Sequence, residues 1–408
     1  MVRPLPPPGP RPAAAPAAAA SKREPQPARP VPVTPRPSGL DVFVERPSGE
    51  LNVCAPPPPA PSPPPVLGPR AAPPGPPVVV VMDGALDDRH QALAGSMWTN
   101  AAEVAGDGVD NDGNGVVDDV HGFNVGLGGG DLAAGKSLDH GTHVAGIALG
   151  KDGGAAARGA TAGQALVMGV SGMYDGCDML TNFERAVDYV VMMKARGANV
   201  RVANASFGGS YPKEADQARW KAAAQKLAAA DILFCVATDN GSGSNLNGKP
   251  DMPGNLGLPN QVTVTATDKA NDKLATFASF GDQVVHIAAV GENVSSAAPG
   301  GGTRVMSGTS MATPAVAGAA AAAFALNPAL TAAQVRDLIL QTAQQDADLE
   351  GKVSTGGKLD VPSLLEAVRR TLPSAAPSPE EAGETGRGWG ELGDWGDWGW
   401  DWFDQLAA

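Results

Sequence analysis

Short, continuously apolar runs recur through the middle of this chain and constrain its fold more than any other feature. They are rich in β-branched residues and do not alternate with polar ones. The clearest are VVVVMD (78–83), QALVMGV (164–170), VRVANAS (200–206), ILFCVAT (232–238) and QVTVTAT (261–267). A strand needs such a run when both faces of its sheet are covered, because every side chain is then buried. The runs therefore predict strands at the centre of a layered domain.

Helical patterns lie between these runs. NFERAVDYVVMMKARG (182–197) closes on a glycine, and EADQARWKAAAQKLAAAD (214–231) follows the third run. Alternation of strand and helix is typical of a parallel sheet covered by helices. We therefore predict an α/β fold of three layers, a mostly parallel β-sheet with helices on both faces. Functional side chains are expected at the strand ends and in the adjoining loops.

The composition changes abruptly at both ends of this region and divides the chain into three segments. Residues 1–77 hold 27 of the 38 prolines and are predicted to be a Pro/Ala-rich disordered arm, because such a segment cannot pack a core. Residues 78–372 form the predicted folded domain. Residues 373–408 form an acidic tail with five of the seven tryptophans. The tail is expected to be a disordered extension, a docking peptide for a partner, or an inhibitor of the protein's own cleft.

Charge, hydropathy and cysteine usage exclude several classes of function. The formal net charge of −13 argues against a nucleic-acid partner, because phosphates are bound by clustered cations. No uninterrupted apolar run approaches the roughly 18 residues of a membrane span, so no membrane partner is expected. Cys54, Cys177 and Cys235 form no CxxC pair and are expected to be reduced thiols. Prolines interrupt the N-terminus where a secretory signal would lie, which makes the cytoplasm the default location.

Three polar residues in separate parts of the folded region form a candidate catalytic set. Asp83 ends the first apolar run, His140 lies in DHGTHVAGIALG (139–150), and Ser310 lies in SGTSMATPAVAGAAAAA (307–323). A serine becomes a nucleophile when an imidazole takes its proton and a carboxylate orients that imidazole. Taken singly, GTS also fits a helix cap and HGTH a helix start. Their order Asp, His, Ser favours a site for acyl transfer.

These stretches resemble the subtilase family of serine peptidases over about residues 78–372, with HGTHVAG and GTSMATP intact. The resemblance implies a subtilisin-like fold and a serine endopeptidase that needs no organic cofactor. Ser310 would be the nucleophile, His140 the general base, and Asp83 the carboxylate that orients the base. The segment VATDNGSG would supply Asn240 as the side-chain donor of the oxyanion hole. Export is the location that the resemblance favours.

The resemblance also implies where a protein or peptide substrate would lie. NASFGG (204–209) resembles the family segment whose backbone pairs with extended substrate as an added strand. Ser206, Phe207 and Gly208 would then line the cleft. Asp239, directly before Asn240, would flank the same pocket.

Two departures from the family pattern matter. Gly84 and Ala85 follow Asp83 where the family usually has a hydroxyl residue and a glycine, and Asp239 stands where glycine usually precedes Asn240. Asp239 either tolerates the backbone that glycine often adopts, or gives the pocket a charge that favours Lys or Arg. No chaperone-like propeptide is recognisable. These features support an alternative, a catalytically weak or inactive module of the same fold that binds peptides or partners.

An acidic loop, DGVDNDGNGVVDD (107–119), lies between Asp83 and His140. It begins like an EF-hand loop, but His121 stands at the twelfth position, where that motif needs a bidentate glutamate. Flanking helices are also missing from the pattern. Loops at this place in subtilases commonly bind calcium, so an accessory structural Ca²⁺ site is predicted, with a solvated polar loop as the alternative. The predicted ligands are Asp110, Asp112, Asn114, Asp118 and the backbone carbonyl of Val116.

Overall fold

The computed structural model describes residues 75–150, 165–241, 243–268 and 273–373. Almost all of the predicted arm and tail lies outside these ranges. The disorder of both segments, and the docking or inhibitory roles of the tail, therefore stay predictions.

A nine-stranded sheet forms the centre of the described region. The elements in chain order are β1 (Val78–Met82), β2 (Gly122–Asn124), α1 (Leu138–Ala148), β3 (Leu166–Ser171), α2 (Met179–Ala195), β4 (Val200–Ala205), β5 (Gly209–Ser210), α3 (Glu214–Ala229), β6 (Leu233–Ala237), β7 (Asp251–Met252), β8 (Gln261–Thr267), β9 (Ile287–Val290), β10 (Val294–Ala297), β11 (Thr303–Met306), α4 (Thr309–Leu326), α5 (Ala332–Gln341), β12 (Gln344–Gln345), β13 (Gly357–Lys358) and α6 (Val361–Arg369). The sheet order is β12-β13-β9-β8-β6-β4-β1-β3-β2. Every pairing in it is parallel except that of β12 with β13, so the predicted mostly parallel sheet is confirmed.

The five apolar runs became β1, β3, β4, β6 and β8, and all residues of β1, β4, β6 and β8 are buried. Side chains of β1 alternate between two hydrophobic clusters. Val79 and Val81 pack with α1, α4, α5 and α6 on one face. Val78, Val80 and Met82 pack with α2 and α3 on the other. Helices therefore cover both faces, and the predicted three layers are confirmed.

Helix α4 is the longest apolar element of the domain. It has 18 residues and is, by length and composition, the one helix in the described ranges that could cross a membrane. However, 89% of that stretch is buried inside the domain, where α4 packs on the sheet. Ser, Thr, Pro and Gly interrupt its alanine-rich sequence, so α4 contains no uninterrupted apolar run of this length. Its burial identifies α4 as a core helix.

The cysteines differ from the prediction of reduced thiols. Cys177 is disulfide-bonded, so the prediction was wrong there. Cys235 is a free thiol buried in β6, where desolvation raises its pKa. Cys54 lies outside the described residues. Spacing along the chain carries no information on which thiols meet in space, and disulfides persist mainly in oxidising compartments. The cysteines therefore give no support to the default expectation of a cytoplasmic location.

Candidate active site

The predicted site residues follow the carboxyl ends of neighbouring strands. Asp83 follows β1, Ser206 follows β4 and Asn240 lies three residues beyond β6. These three strands are adjacent in the order β6-β4-β1, so their ends meet at one edge of the sheet. Ser310 reaches the same edge as the second residue of α4. The topology thus gathers residues from separate parts of the chain, as is typical of open parallel sheets.

Asp83 and His140 form a buried contact. The Nδ1 atom of His140 lies 2.7 Å from Oδ1 of Asp83, and the two residues are 3% and 1% exposed. The backbone N–H of Gly84 donates to the same oxygen at 2.7 Å. A carboxylate at Nδ1 favours the tautomer with its proton on that nitrogen, which leaves Nε2 to accept a proton. This geometry fits a histidine oriented for general-base chemistry.

Hydrogen bonds fasten Ser310 to the end of β4. Its Oγ donates to the Ser206 carbonyl at 3.0 Å, and Ser206 Oγ donates to the Ser310 carbonyl at 2.9 Å. Asn204 Nδ2 in turn donates to Ser206 Oγ at 3.0 Å. Ser310 also lies in the first turn of α4, where backbone N–H groups have no partner inside the helix and the end of the helix dipole is positive.

Asn240 is oriented by the residue that precedes Ser310. Its Oδ1 accepts hydrogen bonds from the backbone N–H of Thr309 at 3.0 Å and from Thr309 Oγ1 at 3.2 Å. The amide oxygen is thereby engaged, and the amide nitrogen lies on the side of Gly308, 3.7 Å from where a Cβ there would be. Asn240 thus presents a donor next to the first turn of α4.

One cleft contains most of the predicted substrate and catalytic residues. Its lining includes Ser206, Phe207, Gly208, Asp239, Asn240 and Ser310. The space not filled by protein atoms is about 400 Å³ and opens to solvent. Tyr174, in the loop before α2, and Met179, the first residue of α2, also line it. Sequence reasoning missed both, because neither lies in a recognisable motif.

The departure at Gly84 has a packing reason. A Cβ at this position would lie 2.6 Å from Ser137 Cβ and 2.7 Å from the Lys136 carbonyl oxygen. The chain entering α1 passes directly over Gly84, and α1 carries His140. A side chain with the usual hydroxyl would not fit here, because the start of α1 passes so close to the residue after Asp83.

His143, the second histidine of the motif, is not among the residues that line the cleft. Its Nε2 lies 3.1 Å from the Val294 carbonyl and 3.0 Å from the Arg304 carbonyl, and so braces β10 and β11 against α1. Burial lowers its pKa to about 4. A neutral imidazole in this place fits a structural role.

Two of the predicted calcium ligands lie in a polar network. Asp112 Oδ2 accepts from Asn100 Nδ2 at 2.9 Å, and Asn114 Nδ2 donates to Asp119 Oδ2 at 2.9 Å. Carboxylate oxygens of Glu103, Asp112 and Asp119 lie within 4.8 Å of one another. Burial raises the pKa of Asp119 to about 6, although hydrogen bonds to its carboxylate oppose the shift. Such oxygens fit the ligand chemistry of calcium.

The other predicted ligands stabilise the loop itself. Asp110 accepts from two backbone N–H groups at 3.0 and 2.8 Å, and Asp118 accepts from two others at 2.7 and 3.2 Å. The Val116 side chain is buried in the core. The predicted ligands therefore fall into two groups, and no sequence pattern selects Glu103 or Asp119. The calcium site stays a prediction.

Comparison with proteins of known family and structure places the chain in context. The subtilase family model matches residues 76–360. Subtilisin-like protease 1 of Plasmodium vivax is 29% identical over 315 residues, 72% of this chain and 48% of that protein. Subtilisin-like protease 7 of Arthroderma otae is 35% identical over 182 residues, 45% of this chain and 42% of that protein. The chain spans about half the length of the curated relatives it matches.

Solved structures show the same fold at low identity. A chain from the subtilase cytotoxin SubAB assembly has a TM-score of 0.56 and 22% identity, covering 73% of this chain and 91% of that one. A lanthipeptide protease has a TM-score of 0.54 and 18% identity, covering 71% and 87%. The matched range of the family model includes Asp83, His140 and Ser310 and most of the described domain. The chain belongs to the subtilase family.

Proposed function

We propose that this protein is a serine endopeptidase that hydrolyses peptide bonds in protein or peptide substrates through an acyl-enzyme. The observation that carries the proposal is the buried 2.7 Å contact of Asp83 with His140, at the strand edge where Ser310 and Asn240 line one cleft. Membership of the subtilase family supports it.

The first half of the reaction acylates Ser310. Its Oγ attacks the peptide carbonyl carbon while Nε2 of His140 takes the hydroxyl proton, and Asp83 stabilises the imidazolium that forms. The Asn240 amide and the backbone N–H of Ser310 donate to the oxyanion. Loss of one such donor costs about 2.7–4 kcal/mol of transition-state stabilisation. His140 then gives the proton to the leaving amine.

The second half releases the acyl group. Water attacks the ester carbonyl, His140 accepts a proton from that water, and the same donors hold the oxyanion. Collapse of the intermediate returns the proton to Ser310 Oγ and frees the new carboxyl terminus. Extended substrate pairs with the backbone at Ser206–Gly208, which fixes the scissile carbonyl beside Ser310.

A fluorophosphonate probe tests the proposal directly. We expect the folded protein to be labelled and Ser310→Ala to lose all labelling. Ser354→Ala, which changes an exposed serine in a loop following β12, is the matched control and should label as before. Cleavage of an internally quenched peptide with blocked ends would identify an endopeptidase. A folded protein that binds peptides but takes no label would favour the alternative, an inactive peptide-binding module.

We also propose that the acidic loop binds one calcium ion that stabilises the domain without taking part in catalysis. The juxtaposition of Glu103, Asp112 and Asp119 supports it. Oxygen ligands of this kind suit a hard cation. Asp112 belongs to both the predicted set and this cluster, so its replacement is the most informative variant.

A further inference from the structure

Oxygen atoms converge beside Gly208, in the wall of the cleft. A Cβ built on Gly208 would lie 3.3 Å from the Met252 carbonyl oxygen, 3.7 Å from the Ala237 carbonyl oxygen and 3.9 Å from Oδ1 of Asp251. Gly208 and Ala237 both line the cleft that contains Ser310. All three oxygens accept hydrogen bonds, so a group placed against this wall is favoured if it donates them.

Asp251 is a buried carboxylate that the catalytic mechanism does not use. Strand β7 pairs antiparallel with β5, with Met252 opposite Gly209, and this pairing holds Asp251 behind Gly208. Asp251 is 4% exposed, and its Oδ2 has no hydrogen-bond partner among the described residues. Buried carboxylates are normally paired or coordinated, because the protein interior solvates their charge poorly.

A second carboxylate lies on the same side of the cleft. Asp239 lines the cleft and is half-buried, and its Oδ2 lies over Gly241, 2.3 Å from where a Cβ there would be. In the described ranges, neither Asp239 nor Asp251 belongs to an ion pair. None of the described residues that line the cleft is Lys, Arg or His.

The electrostatic environment of Asp251 agrees with this geometry. Burial, and then the charge of Asp239, raise the pKa of Asp251 to about 7. Hydrogen bonding from the Asp239 backbone and the charge of exposed Lys249 oppose the shift. A cation bound in the cleft would reduce both causes of the raised pKa. It would stabilise the ionised Asp251 carboxylate despite its burial, and it would offset the repulsion between Asp251 and Asp239.

We propose that the cleft takes the side chain of a lysine or arginine that precedes the scissile bond, with Asp251 and Asp239 as its counter-charges. The inference rests on the proposed peptidase function. Ser310 and Asn240 hold the carbonyl of that residue, so its side chain enters the cleft that they line. Gly208 leaves room for the aliphatic stem, and the terminal N–H groups meet the converging oxygens.

Cleavage of matched peptides tests the proposal. Fluorogenic peptides identical except for Lys, Arg, Met or Leu before the scissile bond would be compared by kcat/KM. We expect the basic peptides to exceed the apolar ones by roughly tenfold or more, as a partly buried charge pair predicts. Asp251→Asn should lower kcat/KM for the basic peptides by roughly tenfold and leave the apolar peptides nearly unchanged. Asp337→Asn, an exposed acid on α5, is the matched control and should change neither.

A second variant keeps the test decisive if Asp251→Asn fails to fold. Asp239→Asn alters a half-buried side chain and should also reduce the preference for basic peptides. Inhibition by p-aminobenzamidine, a small planar cation, should weaken in the same variant. Equal cleavage of all four peptides by the original protein would overturn the inference and leave the peptidase function intact. Absence of both cleavage and fluorophosphonate labelling would instead remove the proposed function on which it rests.

Discussion

The cleft at the strand ends and the acidic loop of residues 107–119 are both rich in carboxylates and amides, yet their side chains are fixed in different ways. At the strand ends, the main candidate catalytic groups are held by a strand end or a helix start, as Asp83 is by β1 and Ser310 by α4. In the loop, the carboxylates of Asp110 and Asp118 instead accept hydrogen bonds from backbone N–H groups of the surrounding turn. The position of a side chain on a rigid scaffold can be predicted from the topology. In a loop with several similar carboxylates, the loop conformation decides which of them come together.

The largest effect is expected in the cleft. Asp83→Asn should lower kcat by about 10⁴-fold, because an amide at this position favours the wrong tautomer of His140 while leaving the packing intact. Steady-state kinetics on the best peptide substrate would measure it. Asp139→Asn, which changes an exposed acid next to His140, should leave kcat within about twofold. A kcat for Asp83→Asn close to that of this control would show that the buried contact does not orient a catalytic base.

Calcium removal should affect the loop and not the chemistry. At a calcium concentration of about 100 times Kd, binding adds about 2.7 kcal/mol to the free energy of unfolding. We therefore expect a chelator to lower Tm and to expose the loop of residues 107–119 to proteolysis, as limited digestion would detect.

Two loop variants sharpen this test. Asp112→Asn should abolish the dependence of Tm on calcium, because Asp112 belongs to the acidic cluster. Asp118→Asn should lower Tm by the same amount with and without calcium, because its carboxylate accepts backbone N–H groups. If the chelator does not change Tm of the unmodified protein, the loop is stabilised by its own hydrogen bonds and binds no metal.

Packing around Gly84 predicts a smaller, structural effect. Gly84→Ser restores the hydroxyl that the family usually has, but its Cβ would meet Ser137 and Lys136 at less than van der Waals distance. Overpacking of this kind typically costs about 1–3 kcal/mol. Urea unfolding would measure the change. Gly209→Ser is the matched control, because Gly209, like Gly84, has no left-handed φ, and a Cβ there would meet no atom closer than 3.9 Å. Equal losses in both variants would mean that α1 does not need the glycine.

The difference between strand ends and loops also explains which site residues could be predicted from the sequence. Continuous apolar runs identified five strands correctly, and the ends of β1, β4 and β6 then gathered Asp83, Ser206 and Asn240 at one edge. Asp251 could not be found this way. It lies in β7, a strand of two residues with no apolar signal, and the pairing of β7 with β5 holds it behind Gly208. Glu103 and Asp119 were missed for a related reason, since loop conformation alone selects them.

The pH dependence of specificity gives the smallest effect and the finest test of Asp251 as a counter-charge for a basic side chain. Below about pH 7 the Asp251 carboxyl is largely protonated and neutral, because burial and the charge of Asp239 raise its pKa to about 7. As pH rises through 7 it ionises, so attraction to a lysine side chain strengthens while the apolar contacts do not change. The ratio of kcat/KM for the Lys peptide to that for the Met peptide should therefore climb between pH 6 and pH 8, by up to roughly tenfold.

Using a ratio cancels any pH dependence that the two peptides share, because both depend on the same catalytic groups. The charge of Lys249 lowers the pKa of Asp251, so Lys249→Met should shift the midpoint of the climb to higher pH. In Asp251→Asn the ratio should lose its climb near pH 7. A ratio that keeps the same climb in that variant would assign the titration to another group and leave Asp251 a buried structural acid. A flat ratio in the unmodified protein would show that substrate side chains do not approach the wall behind Gly208, however well the cleft performs its chemistry.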